Sequence, residues 1–396
     1  MRLVVYVGGV QVGVLSQSDD GYEFTYLDHV DPKLAVSLRM PTSQRSWRSR
    51  ELFPAFQVSM PEGWLLHQVE DSLAAADLQA TPLRILEAVG VDMIGDLQFR
   101  EQVPGEPRAA PAGVDGRVGG KGELSPRIRQ WPGISGGFPK TLRTRKGERG
   151  HWIRKADDED HAGLSLIEYF GMRVSSAAGL PTPEVRLSED GKSLWVRRFD
   201  VGPSGERLAF EDMCSLMGLP ASGKYDGSVE RVVRVIKEVV ASHDVRQSCE
   251  TFYARYLLAA AIRNGDAHLK NFGLVYPRGG APEVAPVFDM LTMAAYAPRR
   301  SDGDAHDGMA LMLRGSRRWP SRDDFDVLAQ LCEVSTESRI EWRRRIRRAM
   351  KEVAEDAHKM APDIQDLEVR RRLVRMRDLW GIGALSVSLR AQVSRN

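Results

Sequence analysis

Arg263-Asn264-Gly265-Asp266-Ala267-His268-Leu269-Lys270-Asn271-Phe272-Gly273 decides how the rest of the chain is read. An apolar, helix-like run from Phe252 to Ile262 precedes it, and a strand-like run from Phe272 to Tyr276 follows. Between them sit an Asp, a His, a Lys and two Asn to which packing gives no role. Asp266 and Asn271 stand five residues apart, and Asp289 closes a further apolar run, Val284, Ala285, Val287 and Phe288. A base, a neutral oxygen donor and a second carboxylate suit magnesium–phosphate chemistry. Mg²⁺ prefers hard oxygen ligands and usually takes only one or two carboxylates.

A chain of 396 residues is too long for one ordinary core and predicts two or three structural units. Hydrophobic residues at 42% supply buried cores and argue against disorder. A formal net charge of +2 sets up no global field toward nucleic acid or membrane. Cys214, Cys249 and Cys332 are odd in number and far apart, so they read as thiols of a reducing cytoplasm rather than a zinc or disulfide framework. The N-terminal run Met1 to Val7 is too short for a membrane span and lacks a signal-cleavage pattern. The longest apolar stretch, Tyr256 to Ile262, is also too short. A soluble, cytoplasmic protein without membrane contact is expected.

Residues 2–7, 10–15 and 22–27 read as an antiparallel meander with Gly-Gly and Asp-Asp-Gly turns. Met60-Pro61-Glu62-Gly63 opens one helix, and Thr81-Pro82 opens another that runs through Val89 and stops near Gly90. Val91 to Phe99 reads as a returning strand. No cluster of reactive residues marks this part, and a packing or partner module is the plainer reading. Residues 101–133, rich in Pro and Gly, read as a linker or mobile loop. From Glu211 onward the pattern turns helical: Val229 to Ala241, Cys249 to Arg263, Asp324 to Cys332, Glu337 to Ala357 and Glu368 to Trp380. The run Arg343-Arg344-Arg345-Ile346-Arg347-Arg348 is a solvated helix face or, as the minority reading, a contact for DNA or an acidic partner. There are no internal repeats.

Gly133-Ile134-Ser135-Gly136-Gly137-Phe138-Pro139-Lys140 places glycines beside Ser and Lys, which lets backbone approach phosphate oxygens. It is not a Walker A motif, and a surface turn would look similar alone. The strand-like Trp152-Ile153-Arg154-Lys155 follows. A strand Lys below a Gly-rich turn neutralises nucleotide phosphates; a snorkelling Lys at a strand end is the alternative. Leu164 to Ala178 is a helix carrying Glu168, either an ion-pair partner of Lys155 or a solvated acid. Glu184 to Leu187 and Ser193 to Phe199 form a hairpin around Asp190-Gly191.

This combination resembles the HipA family, the toxin kinases of bacterial type II toxin–antitoxin pairs. The matching pieces are Met60-Pro61-Glu62-Gly63, Gly95 to Phe99, Ile134-Ser135-Gly136 with Lys140, Lys155, Glu168, Val196 to Asp200, Glu211-Asp212 and Lys224-Tyr225. The loop Asn264 to Gly273 and Phe288-Asp289 complete the set, with Gly315 to Trp319 as a weaker element. The resemblance implies an α+β, two-lobed protein-kinase-like fold related to the phosphatidylinositol kinases. An N-terminal β-rich subdomain (1–105) would precede an ATP-binding lobe (106–200) and a mainly helical lobe (201–396). It implies Ser/Thr kinase activity on a protein, typically an aminoacyl-tRNA synthetase, so that translation stops. It also implies a small DNA-binding antitoxin partner, with DNA reached only through it.

Carried over residue by residue, Asp266 is the catalytic base, and Asn271 and Asp289 are the Mg²⁺ ligands. Lys155 binds ATP phosphates beside Ser135, Gly136 and Gly137, and Glu168 pairs with Lys155. His268 and Lys270 touch the nucleotide, and backbone from Val196 to Phe199 holds adenine. Ser135 is the autophosphorylation site, where added charge would eject the loop. Phe138 stands where the family has Gln, Ile167 where it often has Asn, and Arg197 where Glu is common, so the adenine contacts and loop conformation depart from the pattern. Two rivals remain: an inactive kinase-like co-repressor working with the antitoxin, and a Mg²⁺-dependent hydrolase. The second leaves the Gly-rich loop and its strand Lys unexplained.

Overall fold

β1 (Arg2–Val7) and β2 (Val10–Ser18) pair antiparallel, with Val7 opposite Val10. Gly8 and Gly9 turn the chain between them, both at positive φ, as the twist of a two-residue hairpin requires. β3 (Gly21–Tyr26) and β4 (Ser46–Ser49) extend the sheet on one side. The computed structural model describes residues 1–102, 131, 133–136, 139–144, 151–298 and 308–386. After the short α1 (Pro54–Gln57) come α2 (Gly63–Ala75) and α3 (Pro82–Val89). Thr81 caps α3 by accepting from the Arg84 amide, with Pro82 in the first turn. β5 (Leu97–Glu101) then returns beside β1, giving the order β4-β3-β2-β1-β5. Leu3, Val5 and Val7 alternate inward on β1 and meet Phe24, Phe56, Leu86 and Phe99 in one core. Burying each such side chain contributes about 1.5–3 kcal/mol.

Val91 to Asp96 is not strand. Arg198 and Arg207 both direct guanidinium groups to the Met93 carbonyl and the Asp92 carboxylate, which fixes this stretch as a turn. β6 (Lys140–Thr144) follows the Gly-rich stretch. The proposed linker, 101–133, lies largely outside the described residues.

β7 (His151–Ala156), α4 (Leu164–Ala177), β8 (Val185–Leu187) and β9 (Ser193–Arg197) come next. β9 is flanked by β7 and β8, both antiparallel to it. Both Asp157 carboxylate oxygens cap α4, accepting from the Gly163 and Ser165 amides at 2.7 Å each. The region after Phe199 is not purely helical. β10 (Ala209–Asp212) pairs antiparallel with β11 (Gly273–Tyr276). Glu211 on β10 is buried with four donors: Ser37 Oγ, the Leu38 amide, Ser215 Oγ and Tyr276 OH.

The remaining elements are helical: α5 (Met213–Leu216), α6 (Val229–Val239), α7 (Val245–Ala261), α8 (Arg322–Leu331), α9 (Thr336–Met360) and α10 (Leu367–Ser386). From Phe252 onward α7 is apolar except for Arg255, and that whole part is buried. On α9, Arg343 is buried against Asp326, while Arg344 and Arg345 pair with Glu341 on the same helix.

Two units result. One comprises Met1–His151, Arg198–Lys224 and Gly273–Pro282; the other comprises Trp152–Arg197, Tyr225–Phe272 and Glu283–Asn396. No helix among the described residues is long and apolar enough to cross a membrane.

Candidate active site

α7 ends in a C-terminal motif that launches the loop. Arg263 adopts φ +60°, its amide bonds to the Ala260 carbonyl, and the Asn264 amide reaches the Ala259 carbonyl at 2.8 Å. An Arg rather than a Gly occupies this left-handed position, and its guanidinium lies over the Trp319 ring, 4.7 Å from the centroid. Asn264 then ties two segments together. Its Oδ1 accepts from the Asp266 amide (3.3 Å) and its Nδ2 donates to the Asp289 carbonyl (3.1 Å).

Asp266 keeps a partly exposed carboxylate, 37% accessible. The Tyr225 hydroxyl donates to Asp266 Oδ1 at 2.7 Å, and Arg317 holds the Tyr225 carbonyl at 2.6 Å. His268 is buried, with its ring edge against Tyr225 and its Nε2 4.0 Å from Asp266 Oδ2. That separation is too long for a hydrogen bond. The His268 amide donates to Asn271 Oδ1 (3.1 Å), which fixes the Asn271 side chain over a short 3₁₀ turn, Leu269–Asn271. Lys270 is buried within the same turn.

Asn271 Nδ2 lies 3.2 Å from Asp289 Oδ2. Asp289 Oδ1 accepts from Lys155 Nζ, and the same ammonium meets Glu168 Oε1 at 2.5 Å. Strand β7, helix α4 and the Asp289 segment thus converge on one buried cation. Burial alone would depress that ammonium. The charges of Asp289 and Glu168, and the bonds to them, carry it above the ordinary lysine value, so it stays charged. Asp289 sits at φ +51°, a sparsely populated conformation for a residue other than glycine. Asn271 Oδ1 and the Asp289 carboxylate oxygens are hard donors of the kind Mg²⁺ takes.

The described part of the Gly-rich stretch belongs to the other unit. There Ser135 Oγ donates to Glu62 Oε1 (2.9 Å), and Lys224 Nζ pairs with Glu62 Oε2 (2.7 Å). Lys140 Nζ donates to the Ser135 carbonyl (2.8 Å). Gly136 has φ +111°, and a Cβ there would collide with Lys140 Nζ. Gly137 and Phe138 lie outside the described residues. In the Val196 to Phe199 stretch, the amides of Arg197 and Arg198 already donate to the Glu184 and His151 carbonyls at 2.9 Å each. Val196 is inside β9 with a strand on either side, which leaves Phe199 as the part of the stretch beyond the ladder.

Sequence reasoning passed over Asn264 and Tyr225 as actors and treated Glu62 as part of a bland module. Glu62 and Tyr225 had stood only among the matching motif pieces, and nothing in their spacing announces a contact with Ser135 or Asp266.

Known proteins share parts of this sequence and its fold. The HipA N-terminal domain profile matches residues 3–100, and the HipA-like C-terminal domain profile matches residues 133–361. Y4dM of Sinorhizobium fredii, named as a candidate kinase, is 28% identical over 207 residues, covering 48% of each chain. A candidate kinase of Haemophilus influenzae is 25% identical over 194 residues, 44% of this chain and 56% of its own. The chain thus matches about half the length of these relatives. The fold is similar to that of a chain in the Shewanella oneidensis complex of HipA, HipB and operator DNA, with a TM-score of 0.63 at 16% identity. That likeness covers 97% of this chain and 98% of the other. With the C-terminal profile alone spanning more than half of its sequence, the chain belongs to the HipA family.

Proposed function

We propose that the protein is a toxin Ser/Thr kinase that transfers the γ-phosphoryl group of ATP to a protein hydroxyl. The observation that carries this reading is the convergence of Lys155, Glu168, Asp289 and Asn271, with Asp266 five residues before Asn271. A Lys held charged by a helix Glu, beside an Asp and an Asn with oxygen donors, is the electrostatic equipment of phosphoryl transfer. Lys155 would bind the phosphates, Asn271 and Asp289 would hold Mg²⁺, and Asp266 would accept or orient the proton of the acceptor hydroxyl. Bound Mg²⁺ would offset negative charge on the phosphates. Tyr225 OH already donates to Asp266 as an acceptor hydroxyl would, which supports the base assignment. His268, 4.0 Å away, supports the loop rather than acting as base.

Ser135 is proposed as the self-inactivation site. A phosphoryl group there would bring roughly two negative charges against Glu62, which now accepts the Ser135 hydroxyl. The loop would be driven out and ATP excluded. The substrate class is a cytoplasmic protein of translation, with an aminoacyl-tRNA synthetase as first candidate. The chain is similar to one in the Shewanella oneidensis complex of HipA with HipB and operator DNA; a HipB-type DNA-binding antitoxin is accordingly the proposed partner, and contact with DNA would run through it.

The test is incubation of the purified protein with γ-labelled ATP and Mg²⁺, followed by mapping of the label. Label on Ser135, or on an added synthetase, is expected. Free phosphate alone would indicate a hydrolase, and no turnover would indicate a co-repressor scaffold. Loss of activity on preincubation with ATP is expected for wild type and absent for Ser135→Ala; a variant that still decays would remove Ser135 from the account.

A further inference from the structure

Arg255 on α7 is 1% exposed, and the chemistry above gives it no part. Its guanidinium donates to the Asn271 carbonyl through Nη2, and to the Ala285 (3.1 Å) and Pro286 (3.3 Å) carbonyls through Nη1. Its Cζ lies 5.1 Å from the centroid of the Phe272 ring and 4.8 Å from that of Phe288. Every one of these contacts falls on two segments of the chain, 271–272 and 285–288. The first contains Asn271, and the second runs straight into Asp289.

A guanidinium placed among carbonyls is a costly way to fill a core. Burial pushes its pKa down to about 9, opposed by the charge of Asp289. An apolar side chain of similar volume would pack there without that penalty. What Arg offers is a rigid, planar fork with donors pointing to two segments at once, which neither an apolar residue nor the single ammonium of Lys can supply.

We propose that Arg255 is a positioning residue that fixes the separation of the backbone segments carrying Asn271 and Asp289, and so keeps both side chains within reach of one divalent cation. It resembles the outer-shell partners that orient metal ligands elsewhere and does not itself touch the cation. This inference rests on the reading of Asn271 and Asp289 as metal ligands.

The experiment measures thermal stabilisation of the full chain by a non-hydrolysable ATP analogue as Mg²⁺ is titrated. Wild type is compared with Arg255→Lys, Arg255→Gln and, as control, Arg343→Lys, another buried Arg placed against Asp326 away from the site. Analogue binding in a metal chelator is measured alongside. The Mg²⁺ concentration at half effect should rise about tenfold or more in both Arg255 variants. Metal-free binding should stay near the wild-type value, and Arg343→Lys should lower the melting temperature without moving the Mg²⁺ midpoint. Lys retains charge and bulk, so this variant decides the matter if the Gln protein does not fold. Wild-type Mg²⁺ midpoints in the Arg255 variants, or an equal shift in Arg343→Lys, would overturn the positioning role. No Mg²⁺ effect in wild type would instead remove the metal-ligand assignment on which the inference stands.

Discussion

Lys155 concentrates the electrostatics of the site in one ammonium facing two carboxylates. Spacing left open whether Glu168 partnered it or faced solvent; the side chain is buried and paired. A strand and a helix separated by a short connection bring such pairs within sight of sequence reasoning. Tyr225, Asn264 and Arg255 were not legible as contributors, because their roles depend on contacts with residues far along the chain or on main-chain carbonyls, which carry no sequence signature. Lys155→Met would leave the buried Glu168 and the half-buried Asp289 carboxylates without their cation, at a cost of about 3–5 kcal/mol. The Lys155 pKa is raised on folding. Its stabilisation is therefore complete below the unfolded lysine value of about 10.4 and is lost as pH climbs through the raised folded value. Denaturant unfolding of wild type and variant should give a difference that is level between about pH 6 and 9 and shrinks only in stronger alkali. A difference already fading near neutrality would contradict the pairing.

Among the elements, α4 is seated against the backbone that follows Asp289. A Cβ on Gly171 would collide with the Met290 carbonyl oxygen, so the helix bearing Glu168 depends on this glycine for its depth. Gly171→Ala should destabilise by about 1–3 kcal/mol through overpacking and displace Glu168 from Lys155. A Cβ added to Gly381, inside α10, would meet no atom of the described residues within 4 Å, so Gly381→Ala should be neutral or stabilise by up to about 1 kcal/mol. Parallel unfolding curves check both, and equal effects would show that the seat of α4 is not tight. The helices from α6 to α10 were readable because apolar periodicity is a local signal. β10 was not, since its partner β11 lies some sixty residues onward and the strand carries only four residues. The strand expected from Val91 starts only at Leu97, because Arg198 and Arg207, more than a hundred residues away, hold the preceding turn.

Across the whole molecule, the α+β class, the N-terminal sheet and the helical C-terminal region were legible, and the family followed from motif order along the chain. Glu62 shows what remained hidden: the N-terminal module supplies a carboxylate to Ser135, a contact that only the folded unit creates. The three cysteines are buried, and burial pushes the Cys249 thiol up to about 11 and raises that of Cys332 as well. Native protein should therefore resist thiol reagents at mildly alkaline pH and release three reactive thiols on unfolding; rapid native labelling would contradict the burial. In the proposed reaction Asp266 drives phosphoryl transfer in a site whose Lys155, Asn271 and Asp289 would bind the nucleotide and its metal. Single-turnover transfer of labelled phosphate from ATP, wild type against Asp266→Asn, tests it most directly. A loss of about 10²–10⁴-fold in rate with nucleotide binding retained is the result expected, whereas an unchanged rate in the Asn variant, or no transfer by either protein, would contradict it.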